Sequence, residues 1–356
     1  MKQKARVGLW VMAASLTVSA VGCPCTDSVV NSSSALRWWV FANFGASRVC
    51  EEMTKRGALI SVPVPVPGFG NATGRFYPQT CQSKTNDDAH TLTIWMSGEG
   101  YAWTPATQKL SFECSVAVEY KPDFHKDGDA LTVWFDPVSS PPAQFRITYV
   151  EQRATNLALS LPSMDWFVQN LAQSFVSQQL GKGFTVIRDD GGDDFSFGHL
   201  PAGQRPVHPW NIKGTDRYTF ANEETDIRGQ QQDFLGPYEI DSDKRALYLK
   251  IQVAGAPVDV LVVSRDVGTL WRQQYQRTSP PPSPPTGAAI LQQAQTPPTG
   301  LFDGWVPLPR GSYYVVVDNS ASAGLVRPPA KLPTPFDPAV TQPAKLTYLV
   351  QVGDRP

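Results

Sequence analysis

Lys109-Leu110-Ser111-Phe112-Glu113-Cys114-Ser115-Val116-Ala117-Val118-Glu119-Tyr120-Lys121 is the stretch whose pattern decides the fold. Leu110, Phe112, Cys114, Val116, Val118 and Tyr120 recur at every second position, and Lys109, Ser111, Glu113, Ser115, Glu119 and Lys121 fall between them. Successive side chains of a strand point to opposite faces, so this period predicts a strand with one face on a core and the other in water. Such two-sidedness belongs to antiparallel sheets. The alternation returns downstream at Leu131, Val133 and Phe135 after the turn Lys126-Asp127-Gly128-Asp129, and again at Phe145, Ile147 and Tyr149 after Pro141-Pro142. Upstream, strand residues gather at Arg75 to Tyr77, at Thr91 to Met96 and at Trp103. The short gaps predict a meander.

Helical patterns flank the meander. Leu36, Trp39, Val40, Asn43 and Phe44, behind the N-cap formers Asn31-Ser32-Ser33-Ser34, predict a helix over about 35–56, bent at Gly45. Trp38-Trp39 reads as a buried aromatic pair or as an anchor at a membrane interface. Ser163 caps a second predicted helix, with Met164, Phe167, Val168, Leu171, Phe175 and Val176 on one face and Leu180-Gly181 closing it. Its other face carries a single charge, Asp165, which suits a partly covered face or a modestly polar surface. Val62-Pro63-Val64-Pro65-Val66-Pro67 lacks alternate backbone donors and reads as a spacer or an edge.

Arg188-Asp189-Asp190-Gly191-Gly192-Asp193-Asp194 is read as the boundary between two halves. Beyond it the pattern becomes all strand from Arg217: Tyr218 and Phe220, Ala246 to Val253, Val258 to Val263, and Ser312 to Val317. Ser279 to Gly287 and Thr296 to Gly300 are too proline-rich to pack and predict an exposed insertion over 279–300, a spacer or a ligand for a proline-reading partner. After Arg327 the chain is proline-rich again, and Leu346 to Val352 predicts a last edge strand.

With 41% hydrophobic and 11% aromatic residues the chain can bury real cores. Lys and Arg number 31 against 32 Asp and Glu, which leaves no electrostatic footprint for nucleic acid. No G-x-S-x-G elbow, Walker loop or H-E-x-x-H spacing occurs, and His199 and His208 stand in no metal or catalytic arrangement, so no catalytic residue is assigned and no enzyme is expected. No cofactor is expected either. Calcium is the one metal with a candidate site, the carboxylates Asp189, Asp190, Asp193 and Asp194, though without EF-hand spacing; the other reading is a solvated turn.

The leader begins with the cations Lys2, Lys4 and Arg6, continues with an apolar run from Val7 to Ser19, and ends in Ala20-Val21-Gly22-Cys23. That order reads as a secretory signal, too short in its apolar part to span a bilayer. The last four residues resemble the lipobox of bacterial lipoproteins, with Ala20 where the family more often has Leu or Val. The resemblance implies acylation of Cys23 and a mature chain that starts there. Pro24, in place of an Asp retention signal, points to the outer membrane and a periplasmic, disulfide-permitting environment. Four further cysteines, Cys25, Cys50, Cys81 and Cys114, then make disulfides the default, with Cys50 to Cys81 favoured because Cys25 sits on the tether.

Helix, meander and second helix behind a lipobox resemble the small lipoproteins of the tubular lipid-binding superfamily. That resemblance implies an apolar groove lined by residues such as Phe112, Val116, Phe167, Leu171 and Phe175. Farther on, Arg245 to Ile251, Val258-Asp259-Val260 and Gly311 to Asn319 are similar to pre-peptidase C-terminal domains and Golgi-dynamics sandwiches, which implies a jelly-roll-like sandwich used for adhesion or as a passenger. The expected organisation is a signal peptide (1–22), a lipidated tether (23–34), an α+β domain with an antiparallel meander and two amphipathic helices (35–187), a linker (188–216), an all-β sandwich (217–326) and a proline-rich tail (327–356). The expected function is that of a non-catalytic envelope lipoprotein, a binding or scaffold module for an envelope partner. The alternative is a carrier or sensor of a lipid or other apolar ligand in the first domain.

Overall fold

The computed structural model describes residues 25–63, 71–104, 108–151, 180–189, 192–197, 200–201, 204–205, 208–212, 216–297, 300–329 and 342–356, and most of them are strand. The chain opens with α1 (Cys25–Ser32), α2 (Ser34–Val40), a π-helical turn (Phe41–Gly45) and α3 (Ala46–Met53). Strands β1 (Ala58–Pro63), β2 (Asn71–Asn86), β3 (Thr91–Thr104), β4 (Gln108–Asp127), β5 (Ala130–Ser139), β6 (Gln144–Val150), β7 (Phe184–Asp189) and β8 (Gly192–Phe197) follow. Then come β9 (Tyr218–Ile227), β10 (Gln231–Ile240), β11 (Arg245–Gly255), β12 (Val258–Ser264), α4 (Arg265–Tyr275), β13 (Ala289–Gln295), β14 (Leu301–Val306), β15 (Gly311–Asn319) and β16 (Ala344–Asp354).

β1 to β8 form one curled antiparallel sheet in the order β1-β2-β3-β4-β5-β7-β8, and β6 pairs with β4 as well. β4 is 20 residues long and serves two neighbours on one side: its first part pairs with β6 and its last part with β5. The alternation read from the sequence sets which face meets the helices. Leu110, Phe112, Cys114, Val116, Val118, Tyr120 and Phe124 are buried in a core with Trp38, Val40, Phe41, Ala46 and Val49 of the helical segment. Gly100 of β3 permits the close packing, since a Cβ there would lie 2.6 Å from the ring of Phe112 and 2.5 Å from the Arg75 carbonyl oxygen.

The later strands make two antiparallel sheets of four, β10-β15-β12-β13 and β14-β11-β16-β9, a sandwich-like pair around a second core of Leu247, Leu249, Ile251, Val260, Val262, Val315, Val317, Tyr348 and their neighbours. That core also takes Tyr77, Tyr101 and Trp103 from the first sheet. The end of the first sheet is therefore covered on both faces, by helices on one and by the sandwich with α4 on the other.

Several expectations need correction. From residue 25 on, the expected tether is not free: α1 occupies Cys25–Ser32 and is pinned to the β4–β5 turn, where Asp27 pairs with Lys126 Nζ at 2.6 Å and accepts from the Gly128 amide at 2.9 Å, while residues 23 and 24 lie outside the described residues. Asn31 Nδ2 donates to the Lys126 carbonyl at 2.7 Å. The polar face of β4 is not uniformly wet, because Lys109 and Ser111 lie under the sandwich while Glu113, Ser115 and Lys121 are exposed.

The expected linker 188–216 opens inside the β7–β8 hairpin of the first sheet, with Arg188 opposite Asp193 and Asp189 opposite Gly192. The half after Arg217 is not all strand, since α4 follows β12 and docks by Trp271 and Tyr275, with Gly268 so close to Tyr314 that a Cβ would meet its ring at 2.3 Å. The proline-rich segment 279–300 does not stand off as a bare loop: it holds strand β13, Pro281 is buried, and the Pro282 carbonyl accepts from Gln232 Nε2 at 2.9 Å and Trp271 Nε1 at 3.0 Å. Proline lacks a donor but keeps its acceptor, and buried donors find it. Residues 344–354 form no edge: β16 is central, paired with both β11 and β9.

The helix predicted from Ser163 lies outside the described residues except at its close, where Leu180 is buried and its carbonyl accepts from the Tyr120 hydroxyl at 3.0 Å. No helix among the described residues is long and apolar enough to cross a membrane.

Candidate functional site

Of the five residues proposed to line an apolar groove, Phe112 and Val116 sit in the first core, Phe112 stacked on Phe145 at 4.6 Å and parallel to Phe76 at 6.4 Å between centroids. Phe167, Leu171 and Phe175 lie outside the described residues, as does Cys23. Asp189, Asp193 and Asp194 are placed by strands β7 and β8, and Asp190 falls outside the described residues. Among the described residues no group of three or more His, Cys, Asp or Glu could hold a metal ion. Cys50 and Cys81 form the disulfide expected of them, tying α3 to β2. Cys114 is a free, buried thiol, and burial pushes its pKa up to about 11.

The densest cluster of chemistry-bearing side chains lies where the first sheet meets the sandwich. β2 presents Thr73, Arg75 and Tyr77 on the face away from the helices, because its other face is taken by Ala72 and Phe76. Arg75 Nε donates to Asp233 Oδ1 at 2.6 Å and Nη2 to Oδ2 at 2.9 Å, a forked pair from β2 to β10. Tyr101 donates to the same carboxylate at 2.9 Å and accepts from the Phe234 amide at 2.9 Å. The Tyr77 hydroxyl donates to the Phe234 carbonyl. Arg75 Nη2 also donates to the Tyr348 hydroxyl at 2.9 Å, and that hydroxyl donates to the Glu223 carboxylate.

A second row runs beside it. Lys109 Nζ donates to the Tyr275 carbonyl at 2.6 Å and lies 4.1 Å from the centroid of that ring. Ser111 donates to the Gln276 carbonyl at 2.7 Å, and Trp103 Nε1 to the Tyr275 hydroxyl at 2.8 Å. Arg272 of α4 pairs with Glu99 at 2.9 Å, its guanidinium 3.9 Å from the centre of the Tyr77 ring. These carbonyls are free to accept because they close the last turn of a helix, where intrahelical donors run out.

The electrostatics follow from burial. Loss of water opposes the charge on Arg75, and the Asp233 carboxylate more than restores it, so the guanidinium titrates above the ordinary arginine range. Desolvation raises Tyr77, Tyr101, Tyr275 and Tyr348, which keeps all four as neutral phenols able to donate. The cluster's chemistry is thus that of an interlock, in which donors and acceptors from the two halves meet each other.

A smaller acidic pair sits inside the sandwich. Asp259 of β12 and Asp318 of β15 are register partners, both without exposed surface. Asp318 accepts from Ser320 Oγ at 2.5 Å and the Ala323 amide at 2.8 Å, and Asp259 from the amides of Leu325 and Val326 at 3.2 and 3.3 Å. Together they hold the loop after β15 against the sheet. Burial raises both carboxyls, Asp318 to about 6.

Sequence reasoning missed Arg75, Tyr101, Asp233, Trp271, Arg272 and Tyr275. A signal was present for α4, where Val267, Trp271 and Tyr275 recur at helical spacing behind Ser264. A lone Asp in an otherwise apolar run, as in Val258-Asp259-Val260, was the available sign of the acidic pair.

No family model and no curated protein matches the chain. Among solved structures, one likeness is to the T13 IBDV viral particle, at 12% identity over 82% of this chain and 78% of that one, with a TM-score of 0.18. Another is to a glycoside hydrolase family 43 arabinoxylan arabinofuranohydrolase from Bacillus subtilis, at 10% identity over 77% of this chain and 66% of that one, with a TM-score of 0.21. Scores this low carry no argument about fold or activity.

Proposed function

We propose that the chain is an outer-membrane lipoprotein, held through an acylated Cys23, that works as a non-catalytic binding or scaffold module for an envelope partner. In this reading the helices and first sheet form an α+β unit, the later strands form a jelly-roll-like sandwich, and the sandwich presents the docking surface. The supporting observation is the use to which the buried charges are put: Arg75, Asp233, Lys109, Arg272 and Glu99 are engaged in joining the two halves. Leu270, Ile290, Leu301 and Leu325, large apolar side chains of the second half, are all exposed, and the docking contact is assigned to them.

The test compares the acylated protein with Cys23→Ser, each extracted under native conditions. A photo-reactive residue at Leu270, Ile290, Leu301 or Leu325 is expected to give a discrete crosslinked envelope protein, while one at Val138 of β5 is not. The soluble Cys23→Ser form is expected to carry no stoichiometric lipid by mass spectrometry. A stoichiometric lipid in that form, with no crosslink from the sandwich, would replace this reading by a carrier of an apolar ligand in the first unit.

A further inference from the structure

We propose that the outward face of the N-terminal helical segment lies on the lipid surface of the membrane that holds Cys23, with the indole of Trp39 set among the headgroups. This deepens the lipoprotein reading and rests on it. The first observation is position. Cys23 precedes the start of α1 by two residues, and two residues reach at most about 7 Å. α1 is no loose tether, because Asp27 and Asn31 fix it to the β4–β5 turn. An acyl chain on Cys23 would bring the membrane surface to the body of the protein beside this helix.

The second observation is the face itself. Ser28, Val29, Ser32, Ser34, Ala35, Trp39, Asn43 and Ser47 are its exposed residues up to the first turn of α3, and none is charged; the first exposed charges, Arg48 and Glu51 farther along α3, pair with each other at 2.9 Å. Arg37 would interrupt the face, but it turns inward and pairs with Asp123 at 2.6 Å. Val29 is 59% exposed and Trp39 54%. The two tryptophans have parted: Trp38 is buried, stacked 5.2 Å from His90 and donating to Asp87, whereas Trp39 stands out, touching Phe44 edge-on at 5.7 Å. Indole rings favour the level of the headgroups, where one side is apolar and the polar edge stays wet.

The third observation is charge. Asp127 and Asp129 are exposed on the turn that holds α1, and its one cation, Lys126, is paired with Asp27, so the turn itself has little to attract anionic headgroups. Contact must come from apolar and indole burial, and the fitting surface is zwitterionic.

The experiment uses the full acylated protein in vesicles of phosphatidylethanolamine and phosphatidylcholine, the latter carrying brominated acyl chains that quench nearby indoles. Intact mass first establishes whether Cys23 is acylated. Wild type is expected to show a quenched component that disappears in Trp39→Phe and persists in Trp95→Phe, Trp95 being the exposed indole of β3. Quenching that survives in Trp39→Phe, or none at all in acylated protein bound to vesicles, overturns the face and leaves the anchor standing. An unacylated Cys23 overturns both. A dimer in detergent-free solution that Trp39→Glu converts to monomer also overturns the proposal, by assigning the face to a second copy of the chain.

Discussion

Arg75 and Asp233, 158 residues apart in the chain, meet as a forked ion pair with 2% and 0% of their surfaces exposed. Such a pair is a poor source of net stability, since each ion loses its hydration on burial. Its value is orientation. Two parallel hydrogen bonds fix the angle as well as the distance between β2 and β10, and Tyr101 and Tyr348 take up positions the pair leaves open.

Removing one partner should therefore cost far more than removing both. Arg75→Ala leaves the Asp233 carboxylate buried and uncompensated, and the unfolding free energy in urea should fall by about 3–5 kcal/mol. Arg75→Met combined with Asp233→Leu should lose much less than either Arg75→Met or Asp233→Leu alone, and less than the sum of those two single losses. Additive losses in this cycle would mean that the two side chains act independently.

Lys109 provides a sharper test of the divided polar face of β4. Lys109→Met keeps the apolar stem and deletes the donors to the Tyr275 and Thr278 carbonyls, leaving buried acceptors short of a partner. A loss of about 1–3 kcal/mol is expected. Lys121→Met, on the same face but exposed, should change stability by no more than about 0.5 kcal/mol. Equal small effects at both sites would refute the interlock at Lys109.

These residues also mark the limit of what the sequence conveys. The apolar face of β4 was legible because a period of two is a local property, and so were β12 and β15, whose apolar runs leave little choice. Lys109 was not, because in an alternating strand a lysine looks the same whether water or a helix end 166 residues away accepts from it. Arg75 and Asp233 lie in stretches that say nothing of each other, and Asp233 sits in a run with Pro237, which disguises β10. Leu346 to Val352 looked like an edge only because its proline-rich approach suggested a tail; its pairing on both sides is decided by β9 and β11. The first-sheet face that seemed solvated was covered by an element, α4, that the strand pattern around it concealed.

The disulfide gives a prediction that combines stability with chemistry. Cys50 and Cys81 are separated by 31 residues, and closing a loop of that length restricts the unfolded chain enough to stabilise the fold by about 3–4 kcal/mol in the chain-entropy picture. Cys50→Ala with Cys81→Ala should lower the urea midpoint accordingly. Cys114, buried and pushed up to about 11, should resist iodoacetamide at pH 8 in the native protein and react once the protein is unfolded. Rapid native labelling at Cys114 would contradict its place in the first core.

Asp318 makes a pH prediction whose sign can be worked out. Burial first, and the neighbouring Asp259 in part, raise its pKa from the ordinary 3.8 to about 6, while hydrogen bonds from Ser320 and Ala323 pull the other way. The folded protein thus binds this proton more tightly than the unfolded chain does. Its stabilising contribution is complete below about pH 4 and is lost as pH rises through about 6, amounting to about 3 kcal/mol by linkage. Asp318→Asn cannot titrate. The stability of wild type minus that of Asp318→Asn, from urea unfolding at matched pH, should therefore be larger at pH 4.5 than at pH 7.5. The difference isolates Asp318, together with its coupling to Asp259, from the other carboxylates, which titrate alike in both proteins. Parallel stability curves across that range would mean that Asp318 is hydrated in the native state, and that the loop it holds is open to water.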